Sequence, residues 1–436
     1  MTSRFVFEYF PVSTFAELSL SPTILKSLQD LGYVTPTPIQ KATIPLVNAG
    51  RDVLGIAQTG TGKTAAFCLP IIEKLSREKI QSTPSHPRVL ILTPTRELAI
   101  QIDENIQQYA KNLRITSAVI FGGVSQGRQV TALKKAPHIL VATPGRLLDL
   151  NNQKLLSLRK VDVFVLDEAD RMLDMGFLND IRKILGLLPS KRHNLFFSAT
   201  MPKDIQELAN SILVNPEKVE VTPQSTTVKM IQQSAMYVEK ADKIKLLVHL
   251  LQDPALKKVL VFVEMKYLAN RVCEALIKAG ISAQAIHGNK SQPARQRAIS
   301  EFASGQVRVL VATDIASRGI DIDGITHVIN YELSNILESY VHRIGRTARA
   351  GTSGVAISLV SGMEKSYLAA IEKTTGQKIK IEEDHPFHSQ DVESARILSV
   401  GKAKAALEAQ RKGGRTGATS DRRRTFQRKR KPGNSR

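Results

Sequence analysis

Short runs of uniformly apolar, often β-branched residues recur along the chain, separated by stretches in which apolar residues return every three or four positions. Runs of the first kind read as strands. In the first half they are "DVLGIA", "RVLILT", "AVIFGG", "HILVAT", "VDVFVLDEAD" and "NLFFSAT". Stretches such as "TRELAIQIDENIQQYAKNL" read as amphipathic helices between them. Strands apolar on both faces must be covered on both, so the pattern predicts an α/β fold with a doubly wound parallel sheet. A polar segment, "TPQSTTVKMIQQS" (222–234), interrupts the rhythm, which restarts with "KVLVFVE", "AQAIHG", "VRVLVATD", "HVINYE" and "GVAISLV". "ILVATPGR" (139–146) is echoed by "VLVATDIASR" (309–318), which suggests two lobes of related fold. The expected division is an N-terminal extension over 1–14, a first lobe over 15–217, a linker over 218–230, a second lobe over 231–385 and a tail from 386.

Composition adds a partner to this picture. A chain of 436 residues exceeds what one core usually holds, and 42% hydrophobic with 23% charged residues is ordinary for a globular protein. The net charge of +21 is not ordinary, and it points to an anionic partner, nucleic acid ahead of a membrane surface. Residues 401–436 hold thirteen Lys or Arg against Glu408 and Asp421, a net of +11 and about half of the excess. That segment cannot bury a core and reads as a disordered basic tail. Cys68 and Cys273 are too few for a zinc site or a disulfide framework, which fits a reducing compartment. With no apolar run of membrane-spanning length and no signal-peptide core, a cytoplasmic protein is expected.

The chemistry starts at "AQTGTGKT" (57–64). A strand enters this stretch and a helix leaves it, the context a phosphate-binding loop requires. Gly60 and Gly62 let backbone amides approach phosphate oxygens, and the helix N-terminus adds its dipole. Lys63 is placed for the β- and γ-phosphates and Thr64 for Mg²⁺, while Ala57 has only to be small. Ala57, Gln58, Thr59, Gly60, Thr61 and Gly62 make up the loop. In "VFVLDEAD", Asp167 ends an apolar strand where it can hold Mg²⁺ through water, and Glu168 is the candidate that polarises the attacking water.

"DEAD" (167–170) together with "SAT" (198–200) resembles the DEAD-box RNA helicase family, whose phosphate loops begin with Ala57's residue type. The resemblance spans roughly residues 15–385 through about a dozen motifs in order, with "DEADRMLDMGF" most similar to the bacterial RhlE-type subgroup. It implies two tandem RecA-like domains, ATP and Mg²⁺ as cofactors, and local, non-processive unwinding of RNA duplexes or remodelling of RNA–protein complexes. "GYVTPTPIQ" (32–40) looks like the Q motif, in which Gln40 reads the adenine edge, and Phe15 stands at the position of the adenine-stacking aromatic. Asp170, Ser198, Thr200 and His342 are implied as coupling residues. In "YVHRIGRTARAG" (340–351), Arg346 and Arg349 are implied as the arginine fingers, with Asp314 of "VATDIASRGID" contacting nucleotide and Arg318 and Asp321 supporting it. Neither lobe alone completes such a site, so turnover is expected to need closure.

RNA contacts carry over in the same way. In the first lobe they are Pro94, Thr95 and Arg96 of "PTRELA", Gly122, Gly123, and Thr143, Gly145 and Arg146 of "TPGR". In the second they are Gln292, Arg295 and Thr313. Such groups bind phosphate and sugar, which carry no sequence information, and a 2′-hydroxyl contact would favour RNA over DNA. The absence of Trp and the 5% aromatic content give little sign of a base-stacking platform. The chain departs from the pattern at Ala348, usually glycine, at Ser334, often proline, and in "VFVEMK". The competing readings are a DNA-directed superfamily 2 helicase and an RNA-binding or annealing factor. Ribosome-precursor and mRNA-decay proteins are open as partners, and the core is expected to be monomeric.

Overall fold

The computed structural model describes residues 14–58, 60–221, 231–317, 322, 324–334, 337–348, 354–398, 401–403 and 405. They form two units, each built on one seven-stranded sheet. In the first unit the strands are β1 (Val53–Ile56), β2 (Val89–Leu92), β3 (Ser117–Ile120), β4 (Ile139–Ala142), β5 (Val163–Leu166), β6 (His193–Ser198) and β7 (Glu217–Glu220). Their spatial order is β3-β4-β2-β5-β6-β1-β7, and every pairing is parallel. The second unit carries β8 (Ile231–Tyr237), β9 (Val259–Val263), β10 (Ala283–Ile286), β11 (Val309–Thr313), β12 (His327–Asn330), β13 (Gly354–Val360) and β14 (Lys380–Ile381). Their order, β10-β11-β9-β12-β13-β8-β14, repeats that of the first sheet strand for strand. The doubly wound α/β reading holds, and the sequence echo now has a cause: β4 and β11 fill the same place in the two sheets.

Burial follows the pleat. In β2, Val89 and Ile91 join the core on one face of the sheet, and Leu90 and Leu92 join the core on the other. Period-2 side chains with both faces covered leave no room for polar alternation, which is why these runs are uniformly apolar. The predicted helix beginning "TRELAIQ" forms as Arg96–Tyr109, with Leu98, Ala99, Ile102, Ile106 and Tyr109 buried at helical spacing.

Two boundaries differ from expectation, those at 217 and 385. The first sheet runs past residue 217, because Glu217–Glu220 pairs with Val53–Ile56. The second sheet takes its first strand from Ile231–Tyr237, whose first four residues belong to the polar segment 222–234. Residues 386–398, expected in the tail, are ordered on the second unit: Val392 is buried, and Lys365 Nζ donates to the Ala395 carbonyl at 2.9 Å. All but four of the residues in the basic stretch 401–436 lie outside the described residues.

Candidate active site

The C-terminal ends of β1, β5 and β6 carry the chemistry of the first lobe. The backbone N–H of Ala57 donates to the Ser198 carbonyl at 3.0 Å, so the phosphate loop leaves β1 still hydrogen-bonded to the "SAT" strand. Gly60 and Gly62 have φ of +84° and +92°, the left-handed region where a side chain is strained. Gly62 is also crowded, since a Cβ there would lie 2.4 Å from Gln40 Nε2. Thr61 Oγ1 donates to the Gln58 carbonyl at 2.8 Å and draws the loop closed. Lys63 opens the helix Lys63–Arg77, with Thr64 next to it. The Lys63 ammonium is buried and donates to the Ala57 carbonyl at 2.7 Å. Thr59 lies outside the described residues.

Gln40 ties the Q motif to this loop. Its Oε1 accepts from the Thr37 N–H at 2.9 Å and its Nε2 donates to the Gly62 carbonyl at 3.1 Å. An amide has two N–H bonds and two lone pairs, so each end keeps one position for a base edge. Phe15 is buried in the core and meets the Tyr33 ring edge-on at 6.1 Å. Its ring therefore packs as a core side chain in this structure.

Asp167 follows β5 and is almost wholly buried. Its N–H donates to the Leu92 carbonyl, while its Oδ1 has no hydrogen-bond partner within the protein. Burial pushes its carboxyl up, opposed by the Lys63 ammonium and reinforced by the Glu168 charge. A buried carboxylate oxygen left without a donor, near a phosphate loop, fits a divalent cation. Glu168 sits at φ +56°, left-handed although it is not glycine, and caps the helix Ala169–Asp174. Arg171 was not anticipated from the sequence. Its Nη1 donates to Glu168 Oε2 at 2.8 Å with both side chains buried, so it sets where that carboxylate points. The available signal was the i, i+3 spacing of Glu168 and Arg171 on one helical turn.

Asp170 joins the two motifs. Its Oδ2 accepts from the Thr200 N–H at 2.9 Å and from Thr200 Oγ1 at 3.0 Å. Its own N–H donates to Ser198 Oγ at 3.3 Å, and that hydroxyl donates to the Thr200 carbonyl at 2.7 Å. A shift of "DEAD" therefore has to move "SAT" with it.

Three loops named as RNA contacts follow β2, β3 and β4, at the same C-terminal edge of this parallel sheet. Thr95 caps the helix Arg96–Tyr109 by accepting from the Leu98 N–H, and Pro94 precedes it. The Arg96 guanidinium lies over Gly123, where a Cβ would be only 2.2 Å from Nη1. Gly123 has φ +79°, and Gly122 beside it is open. Thr143 caps Pro144–Asn152, Gly145 faces open space, and Arg146 donates to Gln129 Oε1 at 3.1 Å and to the Val124 carbonyl at 3.0 Å.

In the second lobe, Gln292 opens the helix Gln292–Ala303, Arg295 lies one turn on, and Thr313 ends β11. Asp314 is held by Arg343, whose Nε and Nη2 donate to its two oxygens at 2.6 Å each. Arg343 also donates to the Glu332 carbonyl and covers the Phe262 ring, which makes it a structural hub. His342 lies on the helix Leu337–Ile344 and Arg346 in the turn beyond it. Ala348 has φ +55°, which explains the family's usual glycine there. Arg318, Asp321 and Arg349 lie outside the described residues.

Residues 37–208 match the DEAD/DEAH box helicase family, and residues 242–351 match the helicase conserved C-terminal domain. The DEAD-box ATP-dependent RNA helicase CshA of Bacillus licheniformis is 42% identical over 91% of this chain and 80% of its own. The CshA of Bacillus subtilis is 44% identical over 84% of this chain and 73% of its own. Among solved structures, S. cerevisiae Dbp5 bound to RNA and ADP BeF3 is 32% identical with a TM-score of 0.75, covering 91% of this chain and 100% of that one. The DEAD-box helicase Mss116 bound to ssRNA and UDP-BeF is 28% identical with a TM-score of 0.76, covering 89% of this chain and 82% of that one. With both lobes matched and the nucleotide and coupling motifs assembled on them, the chain belongs to the DEAD-box ATP-dependent RNA helicases.

Proposed function

We propose that this ATP-dependent RNA helicase opens short RNA duplexes or strips bound protein locally, without processive travel, and that each step is gated by the residue set around Asp167. The observation that carries the reading is the buried, partnerless Asp167 Oδ1 beside a loop whose lysine is already oriented. Lys63 holds the β- and γ-phosphates. Thr64 and Asp167 hold Mg²⁺, which when bound supplies charge neutralisation at the phosphate oxygens. Gln40 reads the adenine edge and Phe15 supports it from the core. Glu168, aimed by Arg171, orients the attacking water and takes its proton. Arg346 and Arg349 stabilise charge on the transferring phosphoryl group. Asp314 and His342 act with them, and Asp170, Ser198 and Thr200 pass the change on.

RNA is held through its backbone by Pro94, Thr95, Arg96, Gly122, Gly123, Thr143, Gly145 and Arg146, with Gln292, Arg295 and Thr313 of the second lobe. The basic stretch 401–436 tethers RNA without reading it. Ribosome-precursor or mRNA-decay proteins are proposed partners of a monomeric, cytoplasmic core. The RhlE-type placement is supported by the style of "DEADRMLDMGF", and the curated relatives above carry the CshA name.

ATPase assayed with and without single-stranded RNA, and with DNA of the same sequence, tests this. Strong stimulation by RNA alone is expected. Equal rates in all three would sink the proposal, and equal stimulation by DNA would favour the DNA-directed reading.

A further inference from the structure

The second lobe has a cavity of about 430 Å³ that none of the roles above uses. Its walls come from the C-terminal ends of four strands. Lys240 follows β8, Glu264 directly follows β9, Tyr331 and Glu332 directly follow β12, and Ser361 directly follows β13. By strand order these are the counterparts of β1, β2, β5 and β6, and the ends of β1, β5 and β6 carry the nucleotide chemistry of the first lobe. The cavity is thus the second sheet's own crevice, where α/β sheets bind ligands.

It cannot grip a triphosphate as the first lobe does. The loop after β8, residues 238–242, contains no glycine. Lys243, which opens the following helix, is buried and bonded to Glu364 Oε2 at 2.5 Å and to the Tyr331 carbonyl at 2.8 Å. What the cavity offers instead is an exposed ring, carboxylates and cations. Tyr267 is 67% exposed at the mouth, with Arg271 one turn further along the helix Lys266–Lys278. The Glu332 carboxylate is fixed by the Glu264 N–H at 2.9 Å.

We propose that this cavity is a nucleotide-binding subsite that takes an amino-bearing base, guanine best, with the base stacked on Tyr267, its donor edge on the carboxylates of Glu332 and Glu264, and its phosphate on Arg271 and Lys240. Guanine suits it because adjacent N–H groups at N1 and N2 meet a single carboxylate, whereas uracil presents carbonyl oxygens that carboxylates repel. Stacking a base on one aromatic ring is sequence-tolerant, so discrimination falls to Glu332 and Glu264. The nucleotide is either free in solution or one residue of a bound RNA. The subsite does not depend on the roles assigned in the first lobe.

Two arms of one experiment separate these sources. In the first, the full chain carrying Lys63→Ala, with its ATP site disabled, is titrated with fluorescent GMP and UMP. Saturable GMP binding, about tenfold tighter than UMP and weakened about tenfold by adding Tyr267→Ala, marks a free-nucleotide site. In the second, the unmodified chain is photo-crosslinked to a short mixed-sequence single-stranded RNA and the adducts are mapped by mass spectrometry. A purine adduct at Tyr267, with base preference flattened by Glu332→Gln, marks an RNA-base site. Tyr267→Ala should leave ATP binding unchanged, because the ring is exposed and outside the first lobe. If GMP fails to bind and no adduct maps to Tyr267, the proposal is overturned.

Discussion

Lys63 and Lys243 occupy one position in two copies of one sheet. Each is the first residue of the helix that leaves the strand next to the sheet's far edge, each is buried, and each donates to a backbone carbonyl. They differ in the acid beside them. Glu364 sits 2.5 Å from the Lys243 ammonium, itself bonded to Ser361 and to the Leu333 N–H, so that charge is spoken for. The acid beside Lys63 is Asp167, which keeps an oxygen without a donor. The loops differ too: Gly60 and Gly62 have left-handed backbone in the first lobe, and 238–242 has no glycine. A shared scaffold therefore does not make a shared site. Catalysis is decided by two glycines and by whether a buried lysine has been neutralised.

Exchanging the two lysines' fates is the sharpest way to test this contrast. Lys63→Ala should drop RNA-stimulated ATPase to background and abolish ATP binding, with the melting transition nearly kept. An active Lys63→Ala enzyme would remove the lysine from its role. Lys243→Ala should do the reverse. It strands Glu364 in the core and should cost about 3–5 kcal/mol by chemical denaturation, while the folded fraction still binds ATP. The paired change Lys243→Met with Glu364→Gln should recover most of that loss. Arg171→Ala should lower turnover by about a hundredfold, the low end for losing a well-placed general base, with ATP affinity little changed. Arg171→Lys should restore part of the rate, and an unaltered rate in Arg171→Ala would mean Glu168 is aimed by something else. Smallest is Gly62→Ala. It forces a side chain into left-handed backbone and against Gln40, so ATP affinity should fall about tenfold by calorimetry, for about 1–2 kcal/mol of strain.

The legible parts of the molecule are those where local sequence and tertiary environment ask for the same thing. Strands β2, β4, β5, β9 and β11 are buried at every residue, so their apolar runs announce them. The edge strand β7 is "EKVE", exposed at every other residue, and β8 is "IQQSAMY", with polar residues paired between β13 and β14. Both are strands because of what lies next to them, which no local pattern reports. The same limit applies in the sites. Glycines and the loop lysine were readable from spacing because phosphate chemistry fixes them. Arg171 and Arg343 were not, because their work is to hold Glu168 and Asp314, and an arginine three residues from another charge is more often a solvated helix face. Asp314 was expected to reach nucleotide, and the structure adds that both its oxygens are held by Arg343.

The left-handed Glu168 has a consequence for how this chain can diverge. Its backbone strain is worth about 1–2 kcal/mol, so glycine there would relax the loop. That single change would take from the buried Arg171 the carboxylate it donates to, at about 3–5 kcal/mol, and replacing Arg171 alone takes that donor from Glu168 at a similar cost. Both one-step routes away from the pair run downhill in stability before any benefit appears, even for a copy no longer selected for turnover. Only simultaneous loss crosses that valley. The two residues should therefore be inherited, or discarded, as one character.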